Sequence, residues 1–136
     1  RYDGYKWQVI VMNGKIIAEG YNQVTSQNDP TAHAEIVAIR RACDTLDTFH
    51  LTGAEIYCSC EPCPMCLAAI HWARIEKIYY ANIQEDARRI GFDDHAIYEE
   101  LTKNRRERKI PIAQILPKEG KAAFRAWEEK VDKTPY

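Results

Sequence analysis

The sequence predicts an α/β fold in which helices lie on the faces of a partly parallel sheet. Residues 55–59 and 77–81 are short runs typical of strands, and residues 64–74 between them are typical of a helix. A strand, a helix and a second strand at this spacing form a βαβ crossover, which pairs the two strands in parallel. A hairpin signal and another helix nearer the N-terminus complete the α/β pattern.

The hairpin signal is the dipeptide Asn13-Gly14, which separates β-rich runs at residues 9–12 and 15–19. Both turn positions require a positive φ, which Asn and Gly tolerate, so we expect two antiparallel strands here. Residues 21–30 are polar and rich in turn formers, and they therefore predict a loop.

A helix should follow this loop and run to about residue 47. Asp29 or Thr31 can cap its free amides, and Pro30 suits its first turn. Three residues have the spacing of a buried stripe, namely Ile36, Ile39 and Cys43.

The C-terminal third predicts three helices and one strand. Residues 84–90 and 94–101 have short helical patterns, and residues 118–131 have an amphipathic one. Residues 110–116 predict an edge strand, because Pro111 has no N–H to donate to a ladder.

The length of 136 residues predicts a single domain that spans the whole chain, and the composition is ordinary for a globular protein. The formal net charge of −1 gives no general attraction to nucleic acid or to an anionic membrane, so neither is an expected partner. No apolar run approaches the roughly 18 residues that cross a bilayer. The first four residues do not have the pattern of a signal peptide.

The cysteines favour a metal site over disulfide bonds. The chain has five, an odd number, and four lie within nine positions, at Cys58, Cys60, Cys63 and Cys66. Such a cluster is better suited to a metal than to bridges, and free thiols are typical of a reducing compartment. We therefore expect a cytoplasmic protein.

The strongest signal is the motif His33-Ala34-Glu35 followed by Pro62-Cys63-Pro64-Met65-Cys66. These spacings match the H-x-E and P-C-x-x-C signature of zinc-dependent nucleobase deaminases. Cys63 and Cys66 can face one point at the start of a helix, whose positive end favours the thiolate form. With His33 in the first turn of the other helix as third ligand, zinc keeps a fourth position for solvent.

Glu35 is a carboxylate of the motif that does not serve as a metal ligand in this set. Its expected role is to take a proton from the attacking water and pass it to the base nitrogen and the leaving amine. Residues two apart in a regular helix point to nearly opposite sides, so convergence of His33 and Glu35 needs the open end of the helix. The alternative is a structural zinc site that Cys60 completes as a fourth ligand; we favour the hydrolytic site, because a structural site has no use for Glu35.

At these residues the chain resembles the cytidine deaminase superfamily, and more closely its bacterial guanine deaminase branch. The likeness extends from about residue 10 to residue 136. The two zinc motifs are shared by many deaminases, whereas Gly91-Phe92-Asp93-Asp94 and the terminal Tyr136 are more discriminating.

The resemblance implies a three-layer α/β/α sandwich around a five-stranded mixed sheet, and hydrolysis of guanine to xanthine and ammonia. It implies Zn²⁺ on His33, Cys63 and Cys66, and proton transfer by Glu35. It further implies a homodimer in which residues from about 117 to 136 are exchanged between subunits. Residues that would contact the purine or close the pocket over it are Asn22, Asp94 and Tyr136.

The N-terminus departs from the family pattern. The family carries a helix and a Gly-Gly-Pro-Phe-Gly-Ala stretch before its first strand, and its phenylalanine stacks on the base. Here the corresponding residues read Asp3-Gly4-Tyr5-Lys6-Trp7-Gln8. We hypothesise that Trp7 or Tyr5 takes the place of that phenylalanine.

Two enzymatic alternatives share the zinc motifs. A guanosine or other nucleoside deaminase would need room for a ribose, and a tRNA adenosine deaminase acts on a flipped nucleotide in a polymer. The near-neutral charge favours a small substrate. A non-enzymatic zinc module remains the third possibility, and Glu35 argues against it.

Overall fold

Four strands form one mixed sheet in the computed structural model, which describes residues 7–136. The hypothesis about Tyr5 therefore lies outside the described residues. The strands are β1 (Trp7–Met12), β2 (Lys15–Tyr21), β3 (Ala54–Cys60) and β4 (Lys77–Asn82).

The described part of the chain also contains six α-helices and one short 3-10 helix, Arg105–Glu107. In chain order the α-helices are α1 (Val24–Gln27), α2 (Ala34–Leu46), α3 (Pro64–Trp72), α4 (Gln84–Arg89), α5 (His95–Thr102) and α6 (Pro117–Glu129).

The strand order in the sheet is β2-β1-β3-β4. β1 pairs antiparallel with β2 and with β3, whereas β3 and β4 are parallel and are joined through α3. The predicted hairpin and βαβ crossover are both confirmed. The hairpin turn has positive φ at both residues, 52° at Asn13 and 75° at Gly14, as a two-residue turn requires.

Small residues let α2 approach the sheet closely. Ala34, Ala38 and Ala42 are fully buried along one side of the helix. Gly20 of β2 lies directly beneath it, and a Cβ at that position would collide with the Ala34 carbonyl oxygen and the Ala38 nitrogen. The predicted stripe of Ile36, Ile39 and Cys43 is only half-buried, because close packing selects the alanine side of the helix.

The helix α2 also begins later than predicted. Asp29 does accept a hydrogen bond from the Thr31 N–H, at 2.9 Å, but this bond belongs to a turn that precedes the helix. Regular helix starts at Ala34, and His33 is the N-cap residue, with extended backbone at φ −64° and ψ 156°. This shift decides the geometry of the site.

The predicted strand at residues 110–116 is absent, so the described sheet has four strands and not five. Pro111 removes one donor and restricts the residue before it. Leu116, at the other end, has a left-handed φ of 50°, which is not a strand conformation. The α/β class of the prediction is confirmed.

The chain divides into two compact units, the first ending at Tyr98 and the second comprising Glu99–Tyr136. The core belongs to the first unit, where Ile10, Ile56, Leu51 and Ile70 are the largest buried aliphatic residues. None of the described helices combines the length and the apolar character that crossing a bilayer requires.

Candidate functional site

Three metal-ligating side chains converge where α2 and α3 begin. The Nδ1 atom of His33 lies 3.6 Å from the Cys63 Sγ and 3.5 Å from the Cys66 Sγ. One donor atom from each residue lies within 4.8 Å of the other two, which is the spacing of ligands around a single ion. These three residues are therefore positioned to bind a metal, as their spacing in the sequence predicted.

The start of α3 fixes both cysteines. Cys63 is the N-cap residue, Pro64 occupies the first turn, and the Cys66 N–H donates to the Cys63 Sγ at 3.5 Å. The hydrogen bond between the two thiols lowers the pKa of Cys63 well below its usual range and, with burial, raises the pKa of Cys66. Both thiols must lose their protons to bind a cation, and the lowered pKa of Cys63 favours this for one of them.

Glu35 reaches the same point because His33 stands outside the helix. The extended backbone of His33 turns its side chain away from the direction that a helical residue would take. Glu35, in the first turn of α2, is 2% exposed, and its carboxylate hydrogen-bonds to the Cys66 thiol. The two side chains of the H-x-E motif thus share one site.

Cys60 does not join the cluster. Its Sγ lies 3.9 Å from the Ile83 carbonyl oxygen, and the metal-binding group found among residues 7–136 contains His33, Cys63 and Cys66 alone. The four-ligand structural zinc site is therefore not supported.

The donor set fits zinc. Two thiolates and one imidazole are preferred ligands of this ion, and three protein ligands leave the fourth tetrahedral position open for water. The buried carboxylate of Glu35, which hydrogen-bonds to Cys66, would supply the base that a hydrolytic site needs. This arrangement is characteristic of a hydrolytic zinc enzyme.

A cavity of about 300 Å³ adjoins the cluster. This volume suits a small ligand. The residues that line the cavity are Pro30, His33, Cys60, Glu61, Cys63, Met65, Gln84, Ala87, Phe92, Asp93, Asp94 and Ile97.

The structure separates the roles of the neighbouring Asp93 and Asp94. The Asp93 Oδ1 accepts the His95 N–H at 2.9 Å, so Asp93 supplies the side-chain cap of α5. Asp94 lines the cavity and is half-buried. Asp94 is therefore placed where a ligand in the cavity could contact it.

The other two predicted substrate residues lie in different settings. The Asn22 Oδ1 accepts the Val24 N–H at 2.9 Å, which holds the side-chain amide in the loop that follows β2. Tyr136 ends the second unit, seven residues after α6, and is 74% exposed. Their contacts with a substrate remain predictions.

The sequence missed an aromatic residue that lines the cavity. The sequence indicated Phe92 only as part of a motif, but its side chain lines the cavity. Gly91, with a φ of 94°, sets the turn before it. Trp7, hypothesised to cover the base, lies in β1 and stacks on Tyr21 at a ring separation of 6.4 Å; its contact with the base stays a prediction. The glycine before Phe92, directly after a helical pattern, was the signal that could have indicated a fixed position.

Comparison with known proteins agrees with this site. The family described as "Cytidine and deoxycytidylate deaminase zinc-binding region" matches residues 8–82. The guanine deaminase of Bacillus subtilis is 51% identical over 128 residues, which cover 94% of this chain and 82% of that protein. A crystal structure of Bacillus subtilis guanine deaminase has a TM-score of 0.93 at 50% identity, covering 96% of this chain and 83% of that one.

A more distant branch matches only in part. The tRNA-specific adenosine deaminase of Agrobacterium fabrum is 50% identical over 72 residues, which are 53% of this chain and 47% of that protein. The chain belongs to the cytidine and deoxycytidylate deaminase family, and within it to the guanine deaminases.

Proposed function

We propose that this protein hydrolyses guanine to xanthine and ammonia. The observation that carries the proposal is the extent of the match. Identity of about one half continues over 128 residues with a guanine deaminase, but over only 72 with a tRNA-specific adenosine deaminase. The zinc region is common to both activities, so similarity over a further part of the chain is what separates them.

In this proposal His33, Cys63 and Cys66 hold Zn²⁺, and Glu35 moves the protons. Bound zinc supplies Lewis-acid activation of the attacking water at neutral pH. Glu35 takes one proton from that water and delivers it to a ring nitrogen while the oxygen bonds to the carbon that bears the amine. It then passes the remaining hydroxyl proton to the amine, so that the carbon–nitrogen bond breaks and ammonia leaves. Its burial and its closeness to the thiol of Cys66 support this role.

Asp94 and Asn22 are proposed to hydrogen-bond the purine. Guanine presents N–H donors on its pyrimidine ring, and a carboxylate is an acceptor that suits them. The position of Asp94 on the wall of the cavity supports this contact. For Asn22, the bond from Val24 to its oxygen leaves the amide nitrogen as the group that would donate to an acceptor of the base.

The charge of the cavity supports an unphosphorylated substrate. Carboxylates of Glu61, Asp93 and Asp94 line it, and its described lining includes no lysine or arginine. Recognition of a phosphate normally uses cationic side chains. A free base or a nucleoside is therefore favoured over a nucleotide or a tRNA anticodon, and nucleic acid is not a proposed partner.

We extend the proposal to a homodimer with an exchanged C-terminal segment, from about residue 117 to residue 136. Exposed apolar side chains in the second unit support it. Phe124 is 75% exposed on α6, and Ile110 and Ile112 are 80% and 61% exposed. A second copy that covers these residues would remove their apolar surface from water, as an exchanged segment requires.

In such a dimer Tyr136 closes the pocket over the purine, and each polypeptide still forms one functional domain. The free cysteines support the further proposal of a cytoplasmic location.

A substrate panel tests the proposed reaction. Zinc-loaded protein is incubated with guanine, guanosine, adenine, cytosine, cytidine and a tRNA anticodon stem, and released ammonia is measured. Guanine should be the preferred substrate. Turnover of the RNA without turnover of guanine would refute the proposal, and preference for guanosine would move it to a nucleoside deaminase.

A further inference from the structure

We propose that Tyr98 is a positioning residue that holds Asp94 at a fixed distance from the zinc ligands. This inference rests on the proposed function, in which Asp94 binds the purine. Tyr98 is not among the residues that line the cavity, so its effect would pass through the two segments that it joins.

The first of these segments is the loop that leads to the cysteines. The Tyr98 hydroxyl donates to the Pro62 carbonyl oxygen at 2.8 Å, and Pro62 immediately precedes the ligand Cys63. A bond of this length has good geometry for an O–H donor. Tyr98 is half-buried, so water competes only in part for the carbonyl.

The second segment is the start of α5. The Tyr98 N–H donates to the Asp94 carbonyl oxygen at 3.3 Å, and residues four apart lie on the same side of a helix. Tyr98 and Asp94 therefore lie on the same side of α5, one above the other. The hydroxyl bond to Pro62 thus ties the turn that carries Asp94 to the loop that carries Cys63.

Two other contacts at the start of α5 connect it elsewhere. The Asp93 cap bonds to His95, which belongs to the same helix. The ion pair between Asp93 and Arg88, at 3.8 Å, joins α5 to α4 between two exposed side chains, and such a pair contributes little. The bond from the Tyr98 hydroxyl to Pro62, by contrast, joins the start of α5 to the β3–α3 loop (residues 61–63).

The substitution Tyr98→Phe removes only the hydroxyl, and Tyr80→Phe is the matched control on an exposed residue of β4. In Tyr98→Phe we expect the KM for guanine to rise about 3- to 10-fold, the effect of one lost hydrogen bond on a binding group. The kcat should change less than about twofold, and zinc content should equal that of Tyr80→Phe. Loss of zinc in Tyr98→Phe, or an unchanged KM, would overturn the proposal.

A double-mutant cycle separates positioning of Asp94 from a general structural effect. If Tyr98 acts through Asp94, then Tyr98→Phe should have almost no further effect on KM once Asp94→Asn is present. Independent effects, which multiply in the double variant, would show that Tyr98 does not act through Asp94.

Amide hydrogen exchange provides a test that needs no turnover. In zinc-loaded Tyr98→Phe, the first-turn amides of α5 and those following Pro62 should exchange faster than in Tyr80→Phe, while the β1 and β3 amides keep their protection. Unchanged exchange at both segments would refute the tie. Failure of the proposed function would show differently, as absence of guanine turnover in the unsubstituted protein.

Discussion

At the level of single residues, the backbone of His33 explains how the H-x-E motif can work. Two residues that are two apart in a helix diverge, yet both His33 and Glu35 are directed at the cysteines. The structure resolves this because His33 is an N-cap residue with extended backbone and only Glu35 is helical. The motif is therefore a capping arrangement, in which one helix start carries a ligand just outside it and a base just inside it.

The substitution Glu35→Gln tests the base directly. It keeps the shape of the side chain and removes its ability to take a proton, so kcat should fall about 10²- to 10⁴-fold. Zinc content, measured by atomic emission after gel filtration, should stay at one ion per chain. If the metal were lost together with activity, Glu35 would be a ligand and the proposed division of roles would be wrong.

The pair Asp93 and Asp94 offers a matched comparison for substrate binding. Asp94→Asn should raise the KM for guanine about 10- to 100-fold, because an amide replaces a charged acceptor. Asp93→Asn should change KM by less than about twofold, since Asn is also a good cap. Steady-state kinetics give the KM for guanine of both variants. Equal increases in KM would mean that Asp94 has no special contact with the base.

At the level of secondary-structure elements, the sequence predicted those with strong local signals. The Asn13-Gly14 hairpin and the βαβ crossover have turn chemistry and periodicity that few other structures share, and both are present. The start of α2 was misplaced by about three residues, since Asp29 and Pro30 form a turn that resembles a helix start in composition. The buried side of α2 could not be predicted, because it depends on Gly20 of another element.

The zinc ligands were predictable because their chemistry restricts both residue type and spacing. The residues that form the wall of the cavity were less predictable from the sequence. Phe92 and Tyr98 acquire their positions only when α4 and α5 pack beside the β3–α3 loop, and no local pattern records that packing. The prediction of a strand at residues 110–116 was wrong for a related reason, since an edge strand forms only where it can hydrogen-bond to a neighbouring strand.

The contact between β2 and α2 gives a prediction about stability. In Gly20→Ala the new Cβ meets backbone atoms of α2, which cannot move as a flexible side chain would. We expect the free energy of unfolding to fall by about 1–3 kcal/mol. Gly120→Ala is the control, because that position in α6 has open space and alanine favours a helix.

Urea denaturation of both variants measures this difference. The midpoint should fall for Gly20→Ala and stay or rise for Gly120→Ala. Equal midpoints for Gly20→Ala and the unsubstituted protein would show that α2 does not pack on β2 as closely as described.

At the level of the whole molecule, the exchanged dimer can be tested by mixing two defective chains. One chain carries Glu35→Gln and keeps its C-terminal segment; the other keeps Glu35 and lacks the last few residues, including Tyr136. Each should be nearly inactive alone. If the segment completes the partner's site, one of the two sites in each heterodimer should work. Because half of the dimers in a random co-expressed mixture are heterodimers, about a quarter of all sites should then be active.

Recovery of guanine turnover in the mixture, measured against each chain alone, therefore supports the exchange. No recovery, in a sample that native mass spectrometry shows to contain heterodimers, would place the segment over the site of its own chain. Full activity of the shortened chain alone would remove Tyr136 from the site altogether.

We propose that a zinc ion on His33, Cys63 and Cys66 makes this chain a guanine deaminase. Titrating zinc into metal-free protein, with ammonia release from guanine recorded at each step, tests this claim. Activity should rise in proportion to bound zinc and level off at one ion per chain, with xanthine formed in equal amount to ammonia. Turnover of guanine without the metal, or none at one bound zinc per chain, would contradict the claim.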